Sequence, residues 1–342
     1  PEQNPTTLMT RPLKDVKQST QYFDGLGRPL QTVLRQASME TGSSPNDVVS
    51  AVEYDNFGRE QFKYAAFTAN NTGGYPANDG RFKPNPFLQQ EVFMTTQFGS
   101  QGETFFYNKT NFESSPLNRI NDTYALGNSW VGTENHFIPG KRKGVQMKYL
   151  NNTPTDAVRI WTVTNSTSIG QFGTYVTNAT YPVGELYKNI TIDENKNQVI
   201  EFKDKEGKVI LKKVQLTALS DDGSGSDHPG WLCTYYIYDD IGNLRCVIQP
   251  EGVKELYPSW SFIIKPLTLS EQCFRYEYDK RSRMIMKKVP GAGDVYMVYD
   301  AKNRLVMMQD ENMRQGTIKK WLVTKYNDVQ NRPTETGMWD NN

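Results

Sequence analysis

The sequence predicts a mainly β protein built of antiparallel hairpins and meanders, with long loops and at most a short helix. Three observations carry this expectation. Aromatic residues make up 12% of the 342 residues, led by 19 Tyr and 16 Phe, types that suit a pleated, half-buried surface. Gly (26) and Pro (18) punctuate the whole length with turn formers. A short motif also recurs between alternating apolar and polar runs: an aromatic, Asp, a short spacer, Gly or Asn, then Arg or Lys.

The motif appears first as Tyr22-Phe23-Asp24-Gly25-Leu26-Gly27-Arg28 and again as Tyr54-Asp55-Asn56-Phe57-Gly58-Arg59. Phe202-Lys203-Asp204-Lys205-Glu206-Gly207-Lys208 keeps it with Phe for Tyr and Lys for Arg. Later copies start at Tyr238-Asp239, with Gly242, Asn243 and Arg245, at Tyr278-Asp279, with Ser282 and Arg283, and at Tyr299-Asp300, with Asn303 and Arg304. Tyr326 to Arg332 is a more degenerate copy. Each residue type has a physical task. The aromatic ends an alternating strand, as Tyr276 and Tyr278 do on one face of Arg275-Tyr276-Glu277-Tyr278. The Asp carboxylate accepts a backbone N–H two residues on, Gly or Asn supplies the positive φ of a tight hairpin, and Arg restarts the return strand. An Asp–Arg pair across such a turn contributes about 0.2–1 kcal/mol where exposed. Turn closure explains why the same Asp recurs in the same grammar, so these carboxylates are read as structural and not catalytic.

Taken in order, residues 1–17 are polar and Pro-bearing and are expected to form an arm or an incoming strand. Residues 18–68 hold the first two hairpins, and 70–86, rich in Gly and Pro, a long loop. The best helix candidate is 88–98, with Leu88, Val92 and Phe93 at helical offsets and Gly99 as the stop. Residues 116–144 look irregular and end in the basic run Lys141-Arg142-Lys143, a solvated turn. Strands follow at 158–163, 185–192, 198–202 and 208–214, and Lys212-Lys213 suits a strand edge or an exposed face. A loop at 219–230 is expected to part a head domain, 18–218, from a repeat tract, 231–342.

Composition narrows the chemistry. Lys and Arg total 39 against 38 Asp and Glu, so no overall field attracts nucleic acid. Mean hydropathy is −0.68 and no stretch matches the roughly 18 apolar residues of a membrane span. Cys233, Cys246 and Cys273 lack CxxC spacing, so neither a disulfide framework nor a zinc ribbon is expected, and with only two histidines, His136 and His228, no metal or other cofactor is called for. A Cys233–His228 nucleophile pair and a Ca²⁺ site in Asp221–Gly230 compete with buried small hydrophobes and a flexible connector, and the latter explain the residues better. The chain opens on Pro1, which suggests a processed or trimmed start and says nothing about export.

These residues carry a resemblance. Tyr-Asp-x-x-Gly-Arg resembles the YD repeats of Rhs-type proteins, and residues 21–33, 115–119, 184–187 and 193–207 are similar to the uncharacterised head domain that precedes the repeats in bacteroidete Rhs proteins. Tyr276-Glu277-Tyr278-Asp279, Val289-Pro290-Gly291-Ala292-Gly293 and Val295 to Asp300 resemble the first repeats, and the likeness runs from about Gln18 to Gly337. The resemblance implies a sheet spiralling into a hollow, aromatic-lined shell that encloses a C-terminal toxin or other effector, secreted or displayed at the cell surface, with export by type IX secretion components. Its partners are then the remainder of its own chain, not nucleic acid. The family's Asp-Pro-x-Gly core motif and toxin domain are absent, so the chain is expected to be the front piece of a longer protein. A non-catalytic structural segment is the leading function. The alternative is a cell-surface glycan-binding or adhesin-like module using Trp130, Trp161, Trp231, Trp260, Trp321 or Trp339. A carboxylate-pair glycosidase finds no distinguishing spacing.

Overall fold

The computed structural model describes residues 4–12, 15–38, 45–133, 143–216 and 224–341. His136, Lys141, Arg142 and Asp221 to Gly223, singled out above, lie outside the described residues. The chain divides into two compact bodies, residues 1–147 with 192–196, and residues 148–191 with 197–342.

In the first body the arm contains one helical turn, α1 (Pro5–Met9), capped by Asn4, whose Oδ1 accepts the Thr6 N–H at 3.0 Å. Strands β1 (Ser19–Phe23), β2 (Pro29–Leu34) and β3 (Val48–Ala51) are followed by β4 (Phe62–Tyr64) and β5 (Phe67–Thr68). One antiparallel sheet runs β1-β2-β3-β5 and buries Val33, Val49 and Phe67 against Ala77, Met94 and Phe106. The 54–59 motif forms its turn but is not flanked by strands, because β3 ends at Ala51 and β4 pairs elsewhere. It passes the chain from one sheet to another, and the second expected hairpin is in this respect corrected.

Residues 70–84 are irregular, and a buried cluster fastens them. Lys83 Nζ lies 2.6 Å from both Asp47 Oδ2 and Asp79 Oδ1, while the Gln31 side chain bonds the Lys83 backbone in both directions, at 3.0 and 2.7 Å. The helix α2 (Pro86–Phe98) starts on Pro at its first turn, where the missing N–H costs nothing. Its buried face is not the apolar stripe expected. Leu88 and Val92 are exposed, whereas Gln89, Gln90 and Met94 are buried. Gln90 Nε2 donates to Phe106 O at 3.0 Å and Gln89 Nε2 to Pro84 O at 2.9 Å, so amide bonds to irregular backbone orient the helix.

Next come β6 (Tyr107–Phe112), β7 (Ile120–Tyr124) and β8 (Val145–Asn151), in the antiparallel order β4-β6-β7-β8. β7 corrects the expectation of irregular chain at 116–144. Its polar sequence Ile-Asn-Asp-Thr-Tyr hides a strand whose Asp122 and Tyr124 both point inward.

In the second body β9 (Arg159–Thr164) and β10 (Thr174–Thr180) form a separate two-stranded ribbon. The strands β11 (Tyr187–Ile192), β12 (Gln198–Lys203), β13 (Val209–Gln215), β14 (Trp231–Tyr238) and β15 (Leu244–Ile248) then succeed one another in the sheet. They are continued by β16 (Cys273–Tyr278), β17 (Met284–Lys288), β18 (Val295–Tyr299), β19 (Leu305–Gln309), β20 (Lys319–Lys325) and β21 (Glu335–Asn341), again in sequence order. Ile200, Phe202, Leu211, Tyr235, Ile237, Cys246 and Ile248 supply its buried face. Residues 249–272 leave the meander to form α3 (Pro250–Leu256) and α4 (Pro266–Glu271), and α5 (Glu311–Arg314) is capped by Asp310. None of these three helices was anticipated; each starts at Pro or an Asp cap but is too short to show a period. Lys213 is the plainest reversal. It was expected at an edge or exposed face, yet β13 is paired on both sides and the side chain is fully buried.

Candidate functional site

Five hairpins, β1–β2, β12–β13, β14–β15, β16–β17 and β18–β19, share one geometry. In each, the residue before Asp pairs with the residue after the closing position, as Phe23 with Pro29, Lys203 with Val209, Tyr238 with Leu244, Tyr278 with Met284 and Tyr299 with Leu305, and a bulge falls at the same step. The Asp N–H donates to the carbonyl four residues on, at 2.9 Å in Asp24 and 3.0 Å in Asp204, Asp239, Asp279 and Asp300. The residue three after Asp has positive φ: Gly27 (76°), Gly58 (77°), Gly207 (83°), Gly242 (85°), Ser282 (56°) and Asn303 (63°). This is a tight turn closed by a left-handed residue and a bulge, a loop whose twist matches the strands it joins.

The carboxylate occupies the centre. Asp24 Oδ1 accepts the N–H groups of Leu26 and Arg28 at 2.8 and 2.9 Å, and Oδ2 accepts Arg28 Nε at 2.7 Å. Asp55 with Arg59, Asp279 with Arg283 and Asp300 with Arg304 repeat the arrangement, with Nε to Oδ2 at 2.8, 2.7 and 2.7 Å. The Arg28 backbone N–H, outweighing desolvation, holds the Asp24 carboxyl below its usual range, and the Arg304 backbone N–H does the same for Asp300. Asp204 accepts the Lys208 N–H at 2.8 Å. At Asp239 the closing residue is Asn243, whose N–H and Nδ2 take the two oxygens at 2.8 and 3.2 Å, while Arg245 approaches at 3.3 Å.

One connection was not foreseen. Five closing cations also cover the aromatic ring of the following repeat. The Arg28 guanidinium lies 4.4 Å from the Tyr54 ring, Arg283 5.0 Å from Tyr299 and Arg304 4.8 Å from Tyr326, and Lys208 Nζ lies 5.6 Å from Tyr238. The covered tyrosine answers, as Tyr54 Oη donates to Pro29 O at 2.9 Å, Tyr299 to Met284 O at 3.0 Å and Tyr326 to Leu305 O at 3.0 Å, in each case the residue after the Arg. Arg283 and Arg304 further donate to Asn303 Oδ1 and Asn331 Oδ1, each at 3.0 Å. Successive turns are thus linked by side chains as well as by the strands.

The ladder also reveals a hidden repeat. Arg59 stacks on Phe112 at 4.7 Å, and Phe112-Glu113 leads through Asn118 (φ 56°) to Arg119, with Glu113 N–H donating to Arg119 O at 2.9 Å. Phe112 pairs with Ile120 across a bulge as in the other hairpins. Glu replaces Asp and the spacer is longer, which concealed the motif. Arg119 and Ser115 bonds hold the Glu113 carboxyl at about 2.

A second polar cluster centres on His228. Arg159 N–H donates to Tyr235 Oη at 3.0 Å, so the phenol hydrogen is free for His228 Nε2 at 2.7 Å. The ring hydrogen then sits on Nδ1, facing Asp227 Oδ1 at 3.0 Å, and Tyr257 donates to the other Asp227 oxygen at 3.2 Å. Burial pushes His228 down to about 4. The order carboxylate, imidazole, hydroxyl resembles a hydrolytic relay, but Tyr235 has no exposed surface for a substrate to reach. Cys233 faces the His228 carbonyl oxygen at 3.9 Å, not its ring, and burial raises its thiol to about 12, so the Cys233–His228 nucleophile pair is not formed. Lys213 Nζ donates to Gly225 O at 3.0 Å and Asp227 O at 2.5 Å, and Lys188 Nζ bonds Asp156 Oδ1 at 2.6 Å and Ser224 O. Ammonium groups thereby occupy the carbonyls of Ser224, Gly225 and Asp227, and no cluster of three metal-ligating side chains exists among the described residues.

Where the Asp239 turn lacks a closing Arg, the second body holds a cavity of about 870 Å³, bordered by Tyr278, Tyr296, Tyr299 and Trp321 and by Arg245 and Glu277. Of the other tryptophans, Trp260 packs on His228 with ring centres 4.7 Å apart and Trp161 on Phe262 at 5.5 Å, so both serve the core. Trp130 and Trp339 are exposed.

Comparison with known proteins extends this picture. A family model described as a domain of unknown function, DUF6443, matches residues 1–143. No curated protein matches the chain. Among solved structures, a crystal structure of TcdB2-TccC3-TEV aligns over 94% of this chain with a TM-score of 0.56 and 16% identity. The Photorhabdus luminescens Tc holotoxin pore, with the TccC3 mutation D651A, aligns over 95% with a TM-score of 0.55 and 15% identity. A crystal structure of TcdB2-TccC3 aligns over 94%, with a TM-score of 0.54 and 16% identity. The fold, with its large antiparallel sheets and few short helices, is that of segments of these toxin-complex chains, of which the present chain spans only 12–13%.

Proposed function

We propose that this chain is a non-catalytic structural segment of a secreted Rhs-type shell, whose repeated hairpins propagate a wall that encloses or presents a C-terminal effector. The observation that carries the proposal is the ladder of turns, in which five closing cations hold the next repeat's aromatic ring. Such side-chain linkage serves continuation of a sheet, and the fold likeness to TcdB2-TccC3 chains supports it. The same proposal includes a head domain over 18–218, a linker at 219–230 and YD repeats over 231–342. It also assigns the turn residues Asp24, Asp55, Asp204, Asp239, Asp279 and Asp300 a purely architectural role, and places the protein among bacteroidete polymorphic toxins exported by type IX secretion components. A cell-surface binding module is favoured by one observation, the aromatic-lined cavity.

Limited proteolysis of the full-length gene product tests the shell. A domain downstream of the repeats is expected to resist protease in the native protein and to be digested after the turns are disrupted by Asp279→Ala with Asp300→Ala. Equal digestion before and after would refute enclosure.

A further inference from the structure

We infer that the cavity of the second body is a binding site for a neutral oligosaccharide, with Tyr278 as its stacking platform. The inference does not depend on the shell; it rests on the binding-module reading of this cavity and deepens it. It begins from a step, between the Asp239 turn and Tyr278, at which the ladder is broken. Tyr54, Tyr238, Tyr299 and Tyr326 each carry a cation from the preceding turn, and Phe112 carries Arg59. The turn before Tyr278 closes with Asn243, which spends its amide on Asp239, so no guanidinium reaches the next ring. Among the described residues Tyr278 has neither a cation over its ring nor a partner for its hydroxyl, and it borders the cavity. Arg245 replaces the missing closing cation at Asp239 but leaves the next ring uncovered, and such a departure from a repeated scaffold rule is where function is to be sought.

The remaining lining selects the ligand. Trp321 adds amphipathic ring surface beside Tyr296 and Tyr299, each of which carries a guanidinium on one face, and the volume of about 870 Å³ suits a small-molecule or oligomer site. Gln309 is a buried residue whose Nε2 is bound to Lys320 O at 2.8 Å, while its Oε1 is left as an acceptor in a side chain that lines the cavity. Asn165 gives Oδ1 to Arg245 at 2.7 Å and keeps its Nδ2 as a donor. Most of the lining charge is paired: Arg245 with Asp239 and Glu277, and Arg283 with Asp279, with Lys280 outside these pairs. Three carboxylates, Asp239, Glu277 and Asp279, stand against three cations, Arg245, Lys280 and Arg283, so the lining carries no net charge and favours neither an anion nor a cation. Ring faces for C–H surfaces, together with amide and phenol groups for hydroxyls, describe a saccharide.

The test is titration calorimetry and saturation-transfer NMR on the 342-residue chain with cellohexaose, maltohexaose, chitohexaose and a mannan hexasaccharide. At least one is expected to bind saturably. Tyr278→Ala should weaken it about tenfold, Tyr278→Phe should stay within about threefold, and Lys254→Ala on an exposed helix should change nothing. Unchanged melting temperature certifies each variant; should Tyr278→Ala not fold, Gln309→Ala takes its place and is expected to weaken binding. The inference is overturned if none of the four sugars binds, if binding survives both Tyr278→Ala and Trp321→Ala, or if only an apolar dye such as ANS occupies the cavity.

Discussion

Removing the Arg283 side chain tests whether the ladder contributes stability. Arg283→Ala deletes two bonds to Asp279, at 2.7 and 2.6 Å, bonds to Asp300 O at 3.1 Å and Asn303 Oδ1 at 3.0 Å, and the stacking on Tyr299 at 5.0 Å. The pair is about one-fifth exposed, which places it near the upper end of surface ion pairs, about 1 kcal/mol. Stacking adds about 0.5–1 kcal/mol and the two further bonds about 1 kcal/mol, their acceptors being able to recruit water. The expected loss is about 2–3 kcal/mol. Urea unfolding followed by Trp fluorescence reads the second body, which holds every Trp except Trp130. Combined with Tyr299→Leu in a double-mutant cycle, the coupling should be about 1 kcal/mol. As a contrast, Lys254→Ala in the exposed Lys254–Glu251 pair should cost less than about 0.5 kcal/mol. Additive single effects, with coupling below about 0.3 kcal/mol, would refute linkage between successive turns.

Three further outcomes follow from particular residues. Ser282 holds a φ of 56° where other turns use Gly or Asn, so Ser282→Gly should stabilise the protein by about 0.5–1 kcal/mol in the same urea assay. Gly225 has a φ of 62° and a Cβ there would collide with Ile200 Cδ1, so Gly225→Ala should lower stability by more than about 2 kcal/mol and reduce the melting temperature. His228 drops from 6.5 to about 4 through burial, so the unfolded chain binds the extra proton between these values and stability falls as pH is lowered from about 6.5 to about 4. The full effect is about 3 kcal/mol, and His228→Gln should flatten the denaturation profile in that window; an unchanged slope would remove His228 as its source. Protonation of the lowered turn carboxylates Asp24 and Asp300 adds a separate loss below about pH 4.

The mainly β class and the local form of the turns are legible in the residue order, because Asp, a residue tolerant of positive φ and Arg act within five residues of one another. Asp300 to Arg304 closes on itself with no help from the rest of the chain. Whatever depends on partners distant in sequence is set by the packed fold. Lys213 is buried rather than exposed because the carbonyls of Gly225 and Asp227 and a strand on either side meet it there. The helix 86–98 buries glutamines because irregular backbone offers them carbonyls, a demand that hydrophobic periodicity does not encode. Strand β7 and the Phe112 turn escaped notice because polar side chains and a longer spacer blurred both patterns. The clasp of each cation on the next aromatic, and its failure at Tyr278, arise only when the sheet brings successive turns side by side. That spacing is a property of strand pairing, and the motif alone cannot state it.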